Sequence, residues 1–363
     1  MKLLELPHGT ADYLCPVNGL CDVYEWKTGN RIPEELIHFS RPGFQLISQE
    51  TAVPPKMIYW GQGTIGKEQL SYWSRFIGYN IIADEGKTFQ EALSEVKSLI
   101  DRNIPTILFG LDMYYLPYHT NFYQSLHIPG HVVLMVGYDN QEVYVHDNSK
   151  QGVQIVPLHD LQQAWAQDYI GISKRNAYFG IDMVRPNPDI ADIIKQGMSK
   201  NAELYFNAPV DFIGKRSIDK LIRELPTWKN SFTMDVLKKI YLQLVEFTAS
   251  VVPELPEVLS GFNSGIVNPH QGGRDRLASM LLKYQNKFGT PSWKVASELF
   301  VESGQIIESI TRECIDDIRR ESFENTDKLI SLLIQAKSIE ENAISHLKTD
   351  RVKHKIKTND LSR

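Results

Sequence analysis

Cysteine is scarce in this chain, with three in 363 residues, at positions 15, 21 and 314. An odd and sparse set in a long chain excludes a disulfide framework and implies a reducing compartment in which a free thiol persists. Cys15 and Cys21 do not have the spacing of paired zinc ligands, and no metal is expected. Long apolar runs are also missing. No stretch reaches the roughly 18 residues a membrane span needs, and Met1 to Pro7 is too short and broken for a signal peptide, so the expected location is the cytoplasm, with no membrane partner. Nor is there an excess of positive charge: 39 basic against 44 acidic residues give a net charge of -5, which provides no electrostatic footprint for nucleic acid. The basic run Lys348, Arg351, Lys353, Lys355 and Lys357 reads as a solvated, frayed tail over 348–363. Internal repeats and low-complexity tracts are absent as well.

What remains is ordinary globular composition, 42% hydrophobic and 23% charged, in a chain too long for one core. Up to residue 184, helical and extended patterns alternate. A helix from Pro16 is ended by Gly29, and extended stretches follow at Phe44 to Ser48 and Met57 to Tyr59. Thr88 caps a helix over Phe89 to Arg102 whose Ala92, Leu93, Val96, Leu99 and Ile100 share a face. Thr106 to Leu111, short, continuous and apolar, reads as a central strand. A hairpin over 131–147 is followed by a strand at Val153 to Val156, a helix from Leu158 to Gln167 and a last strand around Ala177 to Met183. Pro186 and Pro188 mark a linker over 185–189. Beyond it, 190–347 is helical almost throughout, interrupted near Pro253, Pro256, Gly261 and Gly265 by a loop of a length that is often functional. The expected fold class is α+β: a helix packed on a mixed, largely antiparallel sheet over 1–184, then an all-α domain.

Cys15 stands directly before a proline, and Val17, Leu20 and Tyr24 then fall on one helical face. Proline is tolerated at a first helical position, so Cys15 reads as the cap. A thiol there faces unpaired N–H groups and the positive end of the helix dipole, which favour thiolate and make it a candidate nucleophile. Asp12 beside it reads as a charge partner of the helix start. Further on, Pro129 to Asp139 is apolar and bounded by glycines, and Gln141 to Asn148 alternates, so the two form a hairpin around Asp139-Asn140. In an antiparallel pair the start of one strand lies beside the end of the other, which brings His131 and Asp147 to one end of the sheet. A helix-capping cysteine, a strand histidine and a carboxylate on the next strand are the parts of a papain-like enzyme, with Cys15 as nucleophile, His131 as base and Asp147 orienting it.

These segments, together with His38-Phe39-Ser40, Trp60-Gly61-Gln62-Gly63-Thr64 and Asp112-Met113-Tyr114-Tyr115-Leu116-Pro117-Tyr118, resemble the butirosin biosynthesis protein H (BtrH-like) N-terminal domain over residues 1 to about 184. Gln271-Gly272-Gly273-Arg274-Asp275-Arg276 and the helices around it resemble the domain of unknown function that often follows that domain. The resemblance implies a papain-like, leader-peptidase-like fold. It implies acyl transfer from a carrier-protein thioester to an amine, with an acyl carrier protein as donor and a small-molecule amine as acceptor. No bound cofactor is implied, since phosphopantetheine arrives on the donor. One departure concerns the oxyanion. Papain-like enzymes place a glutamine shortly before the cysteine, and residues 1–14 contain none. The second donor is left among His8, Asn18 and Gln62.

Asp112 to Tyr118 leaves the central strand at a sheet edge. Asp112, Tyr114, Tyr115 and Tyr118 read there either as the wall of a substrate cleft or as loop packing. Arg274, after two glycines, reads either as a phosphate fork for the donor's arm or as a solvated helix residue. The expected function is a cysteine acyltransferase of secondary metabolism. Amide hydrolysis by the same triad and a non-catalytic binding module are the alternatives.

Overall fold

Thr106–Leu111 is buried along its whole length and forms β5, hydrogen-bonded on both sides. The computed structural model describes residues 1–10, 18–39, 43–48, 55–60, 67–169, 173–249, 271–288, 290–324 and 326–348. Around β5, in chain order, lie β1 (Lys2–Leu3), α1 (Asn18–Thr28), α2 (Glu34–Phe39), β2 (Phe44–Ser48), β3 (Lys56–Trp60), α3 (Lys67–Ile77), β4 (Asn80–Asp84) and α4 (Phe89–Asp101). After it come a single 3-10 turn at Met113–Tyr115, β6 (His131–Tyr138), β7 (Glu142–His146), β8 (Val153–Pro157), α5 (Leu158–Ala164) and β9 (Ala177–Asp182). The main sheet runs β4-β9-β5-β6-β7-β8, with β1 lengthening the β5 side of β6, and each of its pairings is antiparallel. Among the described residues six helices follow: α6 (Ile190–Phe206), α7 (Lys215–Ser231), α8 (Met234–Ala249), α9 (Arg274–Phe288), α10 (Ser292–Arg320) and α11 (Thr326–Ser345). The chain is α+β, an antiparallel sheet with helices followed by a helical region. Among the described residues no helix is long and apolar enough to cross a membrane.

Local chemistry explains the elements that position the site. Thr88 and Glu91 form a reciprocal capping box at α4, which buries Ala92, Val96, Leu99 and Ile100 on one sheet face. On the other face α1 buries Leu20, Val23 and Tyr24. It lies so close to β6 that a Cβ on Gly19 would sit 2.8 Å from the Leu134 side chain. Gly19 therefore lets the start of α1 settle on the strand that begins with His131.

The hairpin is not a plain two-strand ladder. Leu134 faces His146 and Met135 faces Val145, but Gly137 faces Tyr144, so Val136 is an extra residue in β6. Counting back from the turn without that bulge would set Asp147 opposite Leu134, on the α1 face. With it, Asp147 continues the ladder opposite Val133, on the face His131 shares. The packing agrees: Val132, Leu134 and Val136 belong to the core under α1, while Val133, Met135, Val143 and Val145 belong to the core under α4.

The helical half is joined to the sheet half by shared cores. The cluster under α1 and α3 continues into Ile193, Met198, Trp293 and Phe300 of α6 and α10. The β2–β3 pair does not join the main sheet; Phe44, Leu46, Ile58 and Trp60 pack with α7, α8 and α10. Arg274 locks this junction. Its side chain is only 2% exposed; Nε donates to Glu340 at 2.6 Å, Nη2 to the carbonyl of Gly43 at 2.8 Å and Nη1 to that of Gly272 at 2.7 Å. Neither reading of Arg274 from the sequence fits this placement, since the side chain is buried and each of its three nitrogens donates to the protein itself. Removing one partner of such a buried pair typically costs about 3–5 kcal/mol because the other charge stays buried.

Several elements differ from expectation. Pro226, which would be expected to break a helix, lies inside α7, which runs on to Ser231, held by buried Leu221, Leu225 and Trp228. Packing there outweighs the missing N–H. The helix at Leu158 stops at Ala164, where Trp165 turns inward and donates from Nε1 to the carbonyls of Phe109 and Ala177. The expected loop around 253–265, the expected helix start at Pro16 and residues 349–363 of the expected tail lie outside the described residues.

Candidate active site

At the end of β7 two neighbouring residues point to opposite faces of the sheet and build two buried clusters. On the α4 face Asp147 is fully buried, and its Oδ2 lies 2.7 Å from His131 Nε2 and 3.0 Å from His119 Nε2 and accepts from the Tyr118 hydroxyl at 2.9 Å. Its Oδ1 accepts from the backbone N–H and hydroxyl of Ser149, at 2.9 and 2.8 Å. Burial opposes the charge on Asp147, but the charge of His131 and hydrogen bonds from His119 and His131 override it and hold the carboxyl well below the usual carboxylate range. Burial acts the other way on His119, lowering its pKa in spite of Asp147 and keeping the ring neutral with its proton on Nε2. Because His131 meets the carboxylate through Nε2, the tautomer that Asp147 selects carries its proton on Nε2 and its lone pair on Nδ1.

On the α1 face His146 Nδ1 lies 3.0 Å and His8 Nδ1 2.7 Å from Asp22 Oδ2, while Arg31 Nη2 reaches Oδ1 at 3.0 Å. Burial resists this charge too, but hydrogen bonds from His146 and His8, with the charges of His8 and Arg31, hold Asp22 down at about 2. His8 Nε2 meets the carbonyls of Lys150 and Asp147 at 2.9 and 3.2 Å. With acceptors on both nitrogens, the imidazolium is the form that satisfies His8. Burial lowers its pKa, and Asp22 and the two carbonyls more than compensate, raising it. His8 thus ties the N-terminal segment to the turn that carries Asp147. It is also spent, which removes it from the candidates for the second oxyanion donor. The Asn18 side chain and Gln62 lie outside the described residues.

Each cluster brings three ligand-type atoms within 4.8 Å of one another, His8, Asp22 and His146 in one and His119, His131 and Asp147 in the other, so either set has a composition able to hold a metal ion. The separations of 2.7 to 3.0 Å to the shared carboxylate oxygens are those of direct hydrogen bonds.

Cys15 lies outside the described residues, three positions before the first residue of α1. The other two thiols are described. Cys21 is fully buried and pushed up by burial and by Glu34, and Cys314 is fully buried and pushed up by burial and by Asp317. Neither has the surroundings of a nucleophile.

The residues expected to bind substrate divide. Tyr118 supports Asp147 through its hydroxyl. Asp112 is 5% exposed; its Oδ1 accepts from the N–H groups of Tyr114 and Ile128, and its Oδ2 meets His127. Tyr114 and Tyr115 are half-buried and meet edge to face at 4.9 Å between centroids. The sequence reading missed His119, His127 and the Asp22 cluster. Asp147-Asn148-Ser149 was a visible signal, since an Asp two residues before a Ser forms this self-bonded turn.

Fold and site together define an α+β protein whose antiparallel sheet presents a buried imidazole–carboxylate pair at one end. Residues 15–148 match the family model of the N-terminal domain of butirosin biosynthesis protein H, and residues 159–250 match a domain of unknown function, DUF4872. The chain therefore carries a butirosin biosynthesis protein H N-terminal domain, from a biosynthetic family, followed by its associated domain. The first match begins at Cys15 and spans His131 and Asp147; the second starts before β9, crosses the segment expected as a linker and ends before Gln271, so the motif from Gln271 to Arg276 expected to carry that resemblance lies outside it. No curated protein matches the chain significantly.

Proposed function

We propose that the protein is a cysteine acyltransferase that moves an acyl group from a carrier-protein thioester to an amine. The observation that carries this reading is the buried Asp147 gripping His131 through Nε2 at 2.7 Å, in a domain of this biosynthetic family whose match begins at a cysteine. In the first half-reaction the Cys15 sulfur attacks the thioester carbonyl, the bond from that carbon to the donor sulfur breaks, and the donor leaves as a thiol with a proton relayed by His131. In the second, the amine nitrogen bonds to the acyl carbon, the bond to Cys15 breaks, and the proton released by nitrogen returns through His131 to sulfur. Asp147 keeps the proton on Nε2 and so fixes Nδ1 as the exchanging atom. The phosphopantetheine arm belongs to the donor. No cofactor enters the scheme.

Intact-protein mass spectrometry after mixing with acylated carrier protein should show a mass gain of one acyl group mapping to Cys15, discharged as amide when an amine is added. Absence of the adduct on folded protein would refute the reading. Discharge by water at the same rate with and without amine would make the protein an amide or thioester hydrolase instead.

A further inference from the structure

The loop leaving β5 carries another imidazole–carboxylate pair, which the scheme above leaves unused. The His127 side chain is 61% exposed, yet it is held on three sides. Its Nδ1 lies 2.6 Å from Asp112 Oδ2, its ring stacks on Tyr114 with centroids 4.0 Å apart at 12°, and Tyr115 stands edge-on at 6.0 Å. The carboxylate beneath is fixed by the two N–H groups on its Oδ1 and is 8% exposed. An exposed imidazole ordinarily samples several rotamers, and ordering one costs side-chain entropy. Here a buried carboxylate and an aromatic face hold one orientation. Asp112 accepts the hydrogen bond from Nδ1–H, the tautomer in which Nε2 carries the outward-facing lone pair.

Its position adds meaning. Asp112 directly follows Leu111, which faces His131 across the β5–β6 pair, and the register shift at Gly110, with φ of +80°, turns the chain there. The oriented imidazole thus belongs to the loop that continues from the strand end beside the base.

We propose that Asp112, His127 and Tyr114 form the acceptor subsite. Nε2 of His127 accepts a hydrogen bond from an N–H of the amine-bearing acceptor, the buried charge of Asp112 attracts its cationic form, and the aromatic faces of Tyr114 and Tyr115 flank its carbon skeleton. This rests on the acyl-transfer reading for its place in the reaction, but binding can be read without turnover. With 1,4-diaminobutane as acceptor, His127→Ala should raise KM about tenfold, the loss of roughly one hydrogen bond at 1.4 kcal/mol per decade, with kcat changed less than about twofold. Asp112→Asn keeps an oxygen for the Tyr114 and Ile128 N–H groups but sets an amide N–H against Nδ1, and should give a similar rise in KM. A KM within twofold of wild type in both variants, or equal falls in kcat and in the rate of Cys15 acylation, would overturn the proposal. In wild-type protein that forms no S-acyl adduct, the His127 Cε1–H resonance should still shift on titration with the diamine. No shift there refutes the subsite independently of the chemistry.

Discussion

Cys15→Ala should reduce amide formation by four orders of magnitude or more, roughly the scale on which loss of a nucleophile acts in triad enzymes, while the thermal unfolding midpoint stays near wild type. The physical reason is that no second thiol can substitute. Cys21 and Cys314 are fully buried, and their burial favours the neutral form. Steady-state amide production and a thermal melt on the same preparation check the two halves of this expectation. Retained turnover in the alanine variant would remove Cys15 from the mechanism and leave the His131–Asp147 pair without a nucleophile to serve.

The second large effect is expected at Asp147. Asp147→Ala should lower kcat by roughly two to four orders of magnitude, because the imidazole loses the group that fixes its tautomer. It should also destabilise the fold, since the donors of Tyr118, His119 and His131 lose a shared acceptor, and each buried donor left unmade costs about 1–3 kcal/mol. The pH dependence carries a defined sign. A carboxyl held below its unfolded value near 3.8 stabilises the folded state above that pH and loses the contribution progressively as pH falls below it. Denaturant unfolding at pH 7 and in the acid range should therefore separate wild type from Asp147→Ala most at pH 7, with the gap narrowing on acidification. A gap that does not depend on pH would mean that the Asp147 charge contributes nothing to stability.

Sequence and structure meet unevenly, and the reasons are local. His131 and Asp147 were legible as neighbours because a hairpin needs only two apolar runs and a turn. The bulge at Val136 that puts them on the same face was not, since an extra residue in an apolar run leaves alternation on the partner strand unchanged. His119 joins the site from a turn far from both strands in pattern, and nothing about an isolated histidine after Tyr118 marks its partner. Helix α3 was overlooked although Leu70, Trp73, Phe76 and Ile77 repeat at helical spacing and are buried. Arg274 was misjudged because a solvent-facing arginine and one buried on Glu340 from a helix 66 residues away look alike in one dimension. Strand β5 and the Thr88 cap were readable outright, being defined by contiguous residues.

The most direct test of a thiolate–imidazole pair is the rate of Cys15 alkylation by iodoacetamide, followed by peptide mass spectrometry across pH 5 to 10 in wild type and His131→Ala. The account predicts that the wild-type rate is already near its plateau by about pH 7, well below the free-thiol value of about 8.5, and that the variant returns towards that value. Superimposable profiles, both rising near 8.5, would contradict it.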